Sequence, residues 1–559
     1  MTPQDLAHHI QTAVKSAITS GKLNLKPDEI PQQIVVERPK NPEHGDWATN
    51  IALQISKKAG LNPRAAAELL LPLIQQIPGV VAADIAGPGF INLTISAQSQ
   101  GEVAAKIVLQ GSDYGRGTKL TGQKINVEFI SANPTGPLHL GHTRWAAVGD
   151  AIARVLEAEG AQVAREFYIN DRGGQMDKFG VSVKAAALGE KIPEDGYHGA
   201  YIADLAQQVI ANNPEITQLP EPQRSEDFRE AAYELQLADQ KRVLALFNTH
   251  FDVWYSERTL HESGAVERAF EKLRKQGHVF ELDGATWLRT TDFGDDKDRV
   301  LIKADGELTY FASDTAYYVD KRSRGFDNCI YLLGADHHGY VNRLRAVSAC
   351  AGDNPEENIE PMIGQMVKMM KNGQEVRLSK RAGNIITLED LVDEVGVDAA
   401  RYTLIRYPVD SPLVLDLDLL VSRTNDNPVF YVQYAHARIA SVIRNAVELG
   451  LMPPDNWDVS KFNPALLTDE RESNLLGLLA EYPRVVASAA ELREPHRIAR
   501  YLEEVATAYH QFYAACRVLP QGDEQATDLN ISRLWLCAAT RQTVSNGLAL
   551  LGVSAPERM

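Results

Sequence analysis

The sequence predicts an α/β protein whose parallel sheet lies mid-chain, between a small α+β unit and an all-α bundle. Three observations carry this. A β-loop-α-β pattern begins at Lys124, short alternating strands mix with helical stretches before it, and residues after Asn427-Pro428 are helical in periodicity as far as Leu551.

The 559 residues exceed what one hydrophobic core sustains, about 250–300, so several domains are expected. With 44% hydrophobic and 23% charged residues the chain is composed as an ordinary folded protein, which excludes a disordered one. Cys329, Cys350, Cys516 and Cys537 are scattered without a C-x-x-C pair, so a disulfide scaffold and a zinc cluster are both unexpected. Met1 to Ser20 lacks the apolar core of a signal peptide, and no run approaches the ~18 apolar residues of a membrane span, so a soluble, cytoplasmic protein is expected. A net charge of −17 weighs against a nucleic-acid partner, since phosphate binding draws on Lys and Arg. It does not veto one, because a basic track can occupy a single face.

Residues 1–115 read as the N-terminal α+β unit. A helix is expected near 4–19, a strand at Ile34-Val35-Val36, helices after Asp46 and after Asn62-Pro63, and strands near 81–85 and 90–95. Ser112 to Gly117 reads as a linker.

Residues 116–400 read as the catalytic domain. Ile125 to Ile130 is strand-like, Ser131 to Pro137 forms a loop, and Val148, Ile152, Val155 and Leu156 share one face of a helix that Gly160 closes. Val163 to Ile169 returns as a strand, which makes the unit a Rossmann-type nucleotide-binding fold. A polar, helical insertion at about 177–255 follows, without a strand pattern. The α/β pattern resumes at Thr286-Trp287-Leu288-Arg289, continues through a hairpin turned at Asp305-Gly306 whose residues suit a type I′ turn, and reaches a buried strand at Ile330 to Leu333. Residues 401–559 read as the helical domain, with Asn427-Pro428 a cap-and-proline helix start.

Two short elements carry the chemistry. His139-Leu140-Gly141-His142 lies where the first strand's loop becomes a helix, so free backbone N–H groups and the positive end of the dipole suit phosphate oxygens. Both histidines can donate to phosphates, and Gly141 leaves room for an adenine ring. Alone, these residues would equally suit a helix cap with two solvent histidines. The second element, Arg377-Leu378-Ser379-Lys380-Arg381, brings three cations to a loop before the capping box Thr387-Leu388-Glu389-Asp390. Such a loop can close over a triphosphate and neutralise the charge of departing pyrophosphate, whereas in isolation it would read as a solvated basic surface.

Together the two elements resemble the HIGH and KMSK signatures of class I aminoacyl-tRNA synthetases. Glu128-Phe129-Ile130-Ser131-Ala132-Asn133-Pro134-Thr135-Gly136-Pro137, Gly334-Ala335-Asp336-His337-His338 and Leu550 to Met559 narrow the resemblance to the arginyl-tRNA synthetases, over essentially the full length. Some members of that family carry a lysine just before the first signature and lack a regular second one. Here Gly136 stands in that place and Lys380 is present, so the weight falls on Lys380, while Arg377 keeps the charge of the usual lysine with a different hydrogen-bond geometry.

The resemblance implies ATP-dependent ligation of L-arginine to tRNA(Arg) through an arginyl-adenylate, with magnesium carried by the triphosphate and no zinc. It implies catalytic roles for His139, Gly141, His142, Ser379 and Lys380, and ATP contacts at Leu140, Asp336, Arg377 and Arg381. Arginine would be held by Glu128, Ser131, Asn133, Tyr310, Asp314 and His337. A planar, permanently charged guanidinium calls for a carboxylate, and Tyr310 and Asp314 stand one helical turn apart. Without the resemblance that pair would equally suit a core tyrosine and a capping aspartate. By the same resemblance the N-terminal unit meets the tRNA elbow, the helical domain meets the anticodon, arginine activation waits for bound tRNA, and no editing domain is needed. A monomer is expected, since the helical terminus shows no heptad seam. Two rival readings are another class I synthetase or a nucleotidyltransferase with the same H-x-G-H turn, and a non-catalytic RNA-binding relative. The presence of His139, His142 and Lys380 argues against the second.

Overall fold

The computed structural model describes residues 1–376, 386–451 and 457–559. At the N-terminus, helices Pro3–Thr19, Ile51–Ser56, Pro63–Ile74 and Ala97–Gln110 accompany a four-stranded antiparallel sheet of Val36–Glu37, Trp47–Thr49, Phe90–Ile95 and Val80–Ala86, in that spatial order. Asn62 caps its helix as expected, accepting from Ala65 N at 2.8 Å.

The structure departs from the local expectations for this unit at four points. The strand expected at Ile34 to Val36 lies at Val36–Glu37. A strand follows Asp46 before any helix, because Asp46 pairs with the neighbouring strand, donating from its N–H to Leu93 O at 2.8 Å and accepting from Ile95 N at 2.7 Å. The helix Ala97–Gln110 gave too weak an apolar signal, having Gly101 on its buried face, where a Cβ would lie 2.6 Å from Pro464. The expected linker that follows is tightly packed: Tyr114 is buried, its hydroxyl donates to Leu479 O at 2.7 Å, and a Cβ on Gly115 would strike the Tyr482 ring.

The central sheet is wholly parallel. Its strands, numbered within this unit, are β1 (Lys124–Glu128), β2 (Gln162–Ile169), β3 (Val253–Ser256), β4 (Asn328–Gly334) and β5 (Ile359–Gly364), in the spatial order β5-β4-β1-β2-β3. Strand order reverses between β1 and β4, and in open parallel sheets the crevice at the carboxyl ends of such a pair is where ligands bind. Helix α1 (Leu140–Ala158) crosses from β1 to β2 and is buried along most of its length.

The insertion consists of helices Gly174–Leu188, Ala200–Asn212 and α2 (Gln223–Leu246) around a core of its own that includes Phe179, Ile202, Val209 and Phe228. It ends earlier than the sequence suggested, because Val253–Ser256 is the edge strand β3. Four half-buried residues on one edge show no in-out alternation to read. A small antiparallel sheet follows, of Val279–Leu282, Ala285–Leu288 and Arg299–Ile302. The Asp-Gly turn with two positive φ angles is Asp283-Gly284, at 51° and 76°, between the first two of these strands. At Asp305-Gly306 only Gly306 is left-handed, so the expected type I′ turn is replaced by one over Lys303 to Gly306, closed by a bond from Gly306 N to Lys303 O at 2.9 Å. Helix α3 (Tyr310–Ser323) then leads into β4, and α4 (Leu388–Val395) follows β5.

The C-terminal part is helical as expected, with Pro428–Glu448, Glu470–Leu492, His496–Ala515 and Asp528–Leu550. Pro428 does open the first helix, but Asn427 does not cap it: its amide donates to Leu420 O at 3.0 Å and Ser422 O at 2.9 Å, holding the approach loop. The final residues fold back on the catalytic unit. Ser554 N donates to Asp398 at 3.0 Å, and the fully buried Arg401 donates to Leu551 O at 3.1 Å while pairing with Asp150 of α1 at 2.6 Å. One continuous core therefore joins the N-terminal, catalytic and C-terminal parts. All four cysteines are buried and unpaired, and among the described residues no helix is long and apolar enough to cross a membrane.

Candidate active site

At the carboxyl end of β1 the backbone is strained. Ile130 has φ 68° and Ser131 φ 45°, a region that a β-branched residue enters only when its surroundings force it. Those surroundings are specific. Ser131 Oγ donates to Glu128 at 2.9 Å and accepts from Tyr168 N at 3.1 Å. The other Glu128 oxygen accepts from the fully buried Lys321 at 2.6 Å, whose ammonium lies 3.9 Å from the Tyr331 ring centroid and 4.4 Å from that of Tyr317. Asn133 follows with an exposed side chain.

His139 is the N-cap of α1. Its Nδ1 accepts from Gly141 N at 3.1 Å, and His142 Nδ1 accepts from His139 N at 3.2 Å, a capping box built from two stacked imidazoles 3.8 Å apart. Burial holds the pKa of both below the usual histidine value, and burial together with His139 takes His142 down to about 3. Both rings are therefore neutral at pH 7, with Nδ1 occupied as an acceptor and Nε2–H left to donate outward. Gly141 has a second reason to be glycine: a Cβ there would meet His139 Cε1 at 2.9 Å and displace the cap.

The chain beyond the second signature is tied directly to the first. His139 and Thr387 form an antiparallel bridge, Leu140 N donates to Ile386 O at 2.8 Å, and Leu388 N donates to Leu138 O at 2.8 Å. The capping box at Thr387 is present, completed by Asp390. Arg377, Leu378, Ser379, Lys380 and Arg381 lie outside the described residues.

Asp314 sits on α3, recessed, and accepts from the Tyr340 hydroxyl. Burial raises its pKa to about 6, with Glu128 and Glu257 adding to the rise while the Tyr340 hydrogen bond and Arg343 oppose it. Tyr310, one turn earlier on the same helix, is 79% exposed. Asp336 and His337 occupy a 3₁₀ turn at the end of β4, their side chains 3.5 Å apart and open to solvent, and the His337 ring meets Tyr340 edge-on at 6.3 Å. Glu128 and Ser131 thus lie near Asp314 and Tyr340, whereas Asn133, Tyr310, Asp336 and His337 are exposed.

Sequence reading missed Lys321, Tyr340 and Glu257. Glu257 directly follows β3 and is buried, which raises its pKa; Ser313, Arg172 and Tyr168 face it. A carboxylate immediately after a short aromatic strand was the available signal, and it went unread because the strand itself did.

A reversed-order parallel sheet, with a histidine-capped helix N-terminus at its switch point and an all-α domain folded back on it, is the architecture of a class I aminoacyl-tRNA synthetase. Residues 104–406 match the tRNA synthetases class I (R), catalytic domain, residues 4–95 the arginyl tRNA synthetase N terminal domain, and residues 432–559 the DALR anticodon binding domain. The chain belongs to the arginyl-tRNA synthetase family. It is 58% identical to the arginine–tRNA ligase of Renibacterium salmoninarum and 56% identical to that of Kineococcus radiotolerans, in each case over 100% of both chains. Its fold is shared with the Thermus thermophilus arginyl-tRNA synthetase, with a TM-score of 0.76 at 21% identity over 100% of both chains.

Proposed function

We propose that this cleft makes arginyl-adenylate from L-arginine and ATP and passes the arginyl group to the 3′-terminal ribose of tRNA(Arg). The carrying observation is one crevice that holds a dipole-bearing helix N-terminus capped by two neutral histidines and, across the switch point, a recessed carboxylate suited to a guanidinium.

In the first step an arginine carboxylate oxygen bonds to the α-phosphorus as the bond to the β-phosphate oxygen breaks, and pyrophosphate leaves. In the second, a ribose hydroxyl oxygen bonds to the carbonyl carbon, its proton is lost, and AMP departs. No side chain bonds covalently, so the residues act by placement and by charge. His139 and His142 donate from Nε2 to phosphate oxygens, beside the free N–H groups of α1. Gly141 and Leu140 give the nucleotide a backbone face, and Asp336 meets the ribose. Lys380 supplies the main countercharge to leaving pyrophosphate, aided by Ser379, Arg377 and Arg381. Asp314 takes the guanidinium with Tyr310 as its rim, while Glu128, Ser131, Asn133 and His337 orient the α-amino and carboxylate ends.

Magnesium would arrive on the triphosphate and be held by phosphate oxygens, since among the described residues no three His, Cys, Asp or Glu side chains converge as a cage. The helical domain would stack anticodon bases on its aromatic face, where Phe430 and Tyr434 lie 5.9 Å apart and Arg438 covers Tyr513 at 4.4 Å. Buried, unpaired cysteines support a reducing, cytoplasmic setting, and we take the working form to be a monomer, which sedimentation would check.

ATP–pyrophosphate exchange with each amino acid, run with and without tRNA, tests the proposal. Exchange driven by arginine and lost in Lys380→Ala is expected; exchange driven by cysteine or glutamate would overturn it.

A further inference from the structure

The helical insertion grips the loop that enters the first signature. Asn133 O accepts from the Gln240 amide at 3.1 Å and Gly136 O accepts from the same amide at 2.8 Å. Thr135 O accepts from the Tyr201 hydroxyl at 3.1 Å. Three of four successive carbonyls are thus held by two side chains of the insertion. The loop needs this. Pro134 and Pro137 remove two of its donors, it belongs to neither sheet nor helix, and it starts from the strained pair Ile130-Ser131.

Gln240 is built for this one purpose. It is 1% exposed, both hydrogen bonds donated by its side-chain amide go to the loop, and its side-chain oxygen is buried with no partner among the described residues. An unsatisfied buried oxygen costs stability, so the residue is not explained as core filling. The same helix, α2, reaches the helix that follows the other signature: Arg242 makes a two-pronged contact with Glu389 in α4, at 3.0 and 3.1 Å.

We propose that the insertion is a brace for the adenylation site, with Gln240 and Tyr201 as positioning residues that set the path from Ser131 to His139. This rests on the assignment of Asn133 and His139 to substrate. Loss of the brace would let the loop sample other paths, so binding at Asn133 would weaken although no group touching substrate had changed.

The test uses the full-length protein with tRNA present. Gln240→Leu keeps the side chain's bulk and removes its unsatisfied oxygen, and Tyr201→Phe keeps the insertion core, so both variants are expected to fold. Gln207→Ala, exposed on the same helix as Tyr201, is the control. Gln240→Leu should speed amide hydrogen exchange across residues 131–138 on the order of tenfold, leave exchange in helix Gly174–Leu188 unchanged, and raise the arginine KM on the order of tenfold. Tyr201→Phe should do the same to a smaller extent, and Gln207→Ala should do neither. Unchanged loop exchange in Gln240→Leu overturns the brace, as does faster loop exchange with unaltered kinetics. Asn133→Ala with an unaltered arginine KM would instead remove the assignment of Asn133, while the exchange measurement still reads the brace by itself.

Discussion

Lys321 and Glu128, 193 residues apart in sequence, form a buried ion pair at 2.6 Å at the carboxyl end of β1. The ammonium has no solvent exposure, so its pairing with Glu128 and its two tyrosine faces replace water entirely. Removing one partner of such a pair costs about 3–5 kcal/mol, because the other is left buried and uncompensated. Lys321→Met should therefore lower the urea unfolding free energy by about that amount, and should raise the arginine KM as Ser131 loses its fixed acceptor.

The raised pKa of Asp314 makes arginine use sensitive to acid. Burial lifts the group from 3.8 to about 6, so folding favours its protonated form. Its contribution to stability is fully present below the unfolded value and is lost as pH rises through about 6. Guanidinium binding needs the opposite state, the carboxylate. The value of kcat/KM for arginine should accordingly fall about tenfold per pH unit below about 6, as expected for loss of the binding-competent ionisation state. Asp314→Asn should abolish that limb, raise the arginine KM by about 10–100-fold, and leave the unfolding midpoint at pH 8 no lower. A pH series of arginine-dependent exchange, with thermal melts, reads all three.

Of the two signature histidines, His142 should contribute no ionisation to that profile between pH 6 and 8. Both pKa values are depressed by burial, and that of His142 lies near 3. Because these values are lowered where that of Asp314 is raised, the sign is reversed: their folded-state advantage is present above 6.5 and is lost as pH falls toward the depressed values. His142→Ala should reduce kcat for adenylate formation by about 10²–10³-fold, the usual cost of removing one well-placed donor to developing charge. The pH dependence that remains should be that of Asp314.

Gly141→Ala is expected to act through His139. The added methyl would press on the imidazole at 2.9 Å and break its acceptance of the Gly141 N–H. Loss of an N-cap costs about 0.5–2 kcal/mol, so the fold survives while nucleotide placement suffers. Isothermal titration with ATP should show weakened binding in a protein whose melting temperature has moved by only a few degrees.

Much of this architecture was legible because it is written in local signals. Asn62 and Thr387 announce helices by capping, and the first signature sits on the expected helix start. The misses share a cause. Val253–Ser256 is short and half-buried throughout, and Ala97–Gln110 has glycine on its packed face, so neither shows a period. A hairpin does turn at Asp305-Gly306, where Ile302 bridges Leu308, but the Asp-Gly pair with both φ angles positive is Asp283-Gly284, which only strand pairing distinguishes. Asp314 was found, whereas Tyr340, Lys321, Glu257 and Gln240 were not. Their meaning lies in partners tens to hundreds of residues away, which no spacing rule reaches.

The contact of Arg401 with the end of the chain bears on the order in which the enzyme comes into being. Its guanidinium is finished by the Leu551 carbonyl, 150 residues downstream, and it steadies Asp150 on the very helix that the signature histidines cap. A nascent chain has made every residue of the adenylation crevice well before that carbonyl exists. Without that carbonyl the buried Arg401 Nε–H loses its acceptor, although Asp150, Thr249 and the Phe247 and Asn248 carbonyls still hold the rest of the guanidinium. A chain that stops before Leu551 therefore carries both signatures but lacks the acceptor of that buried N–H.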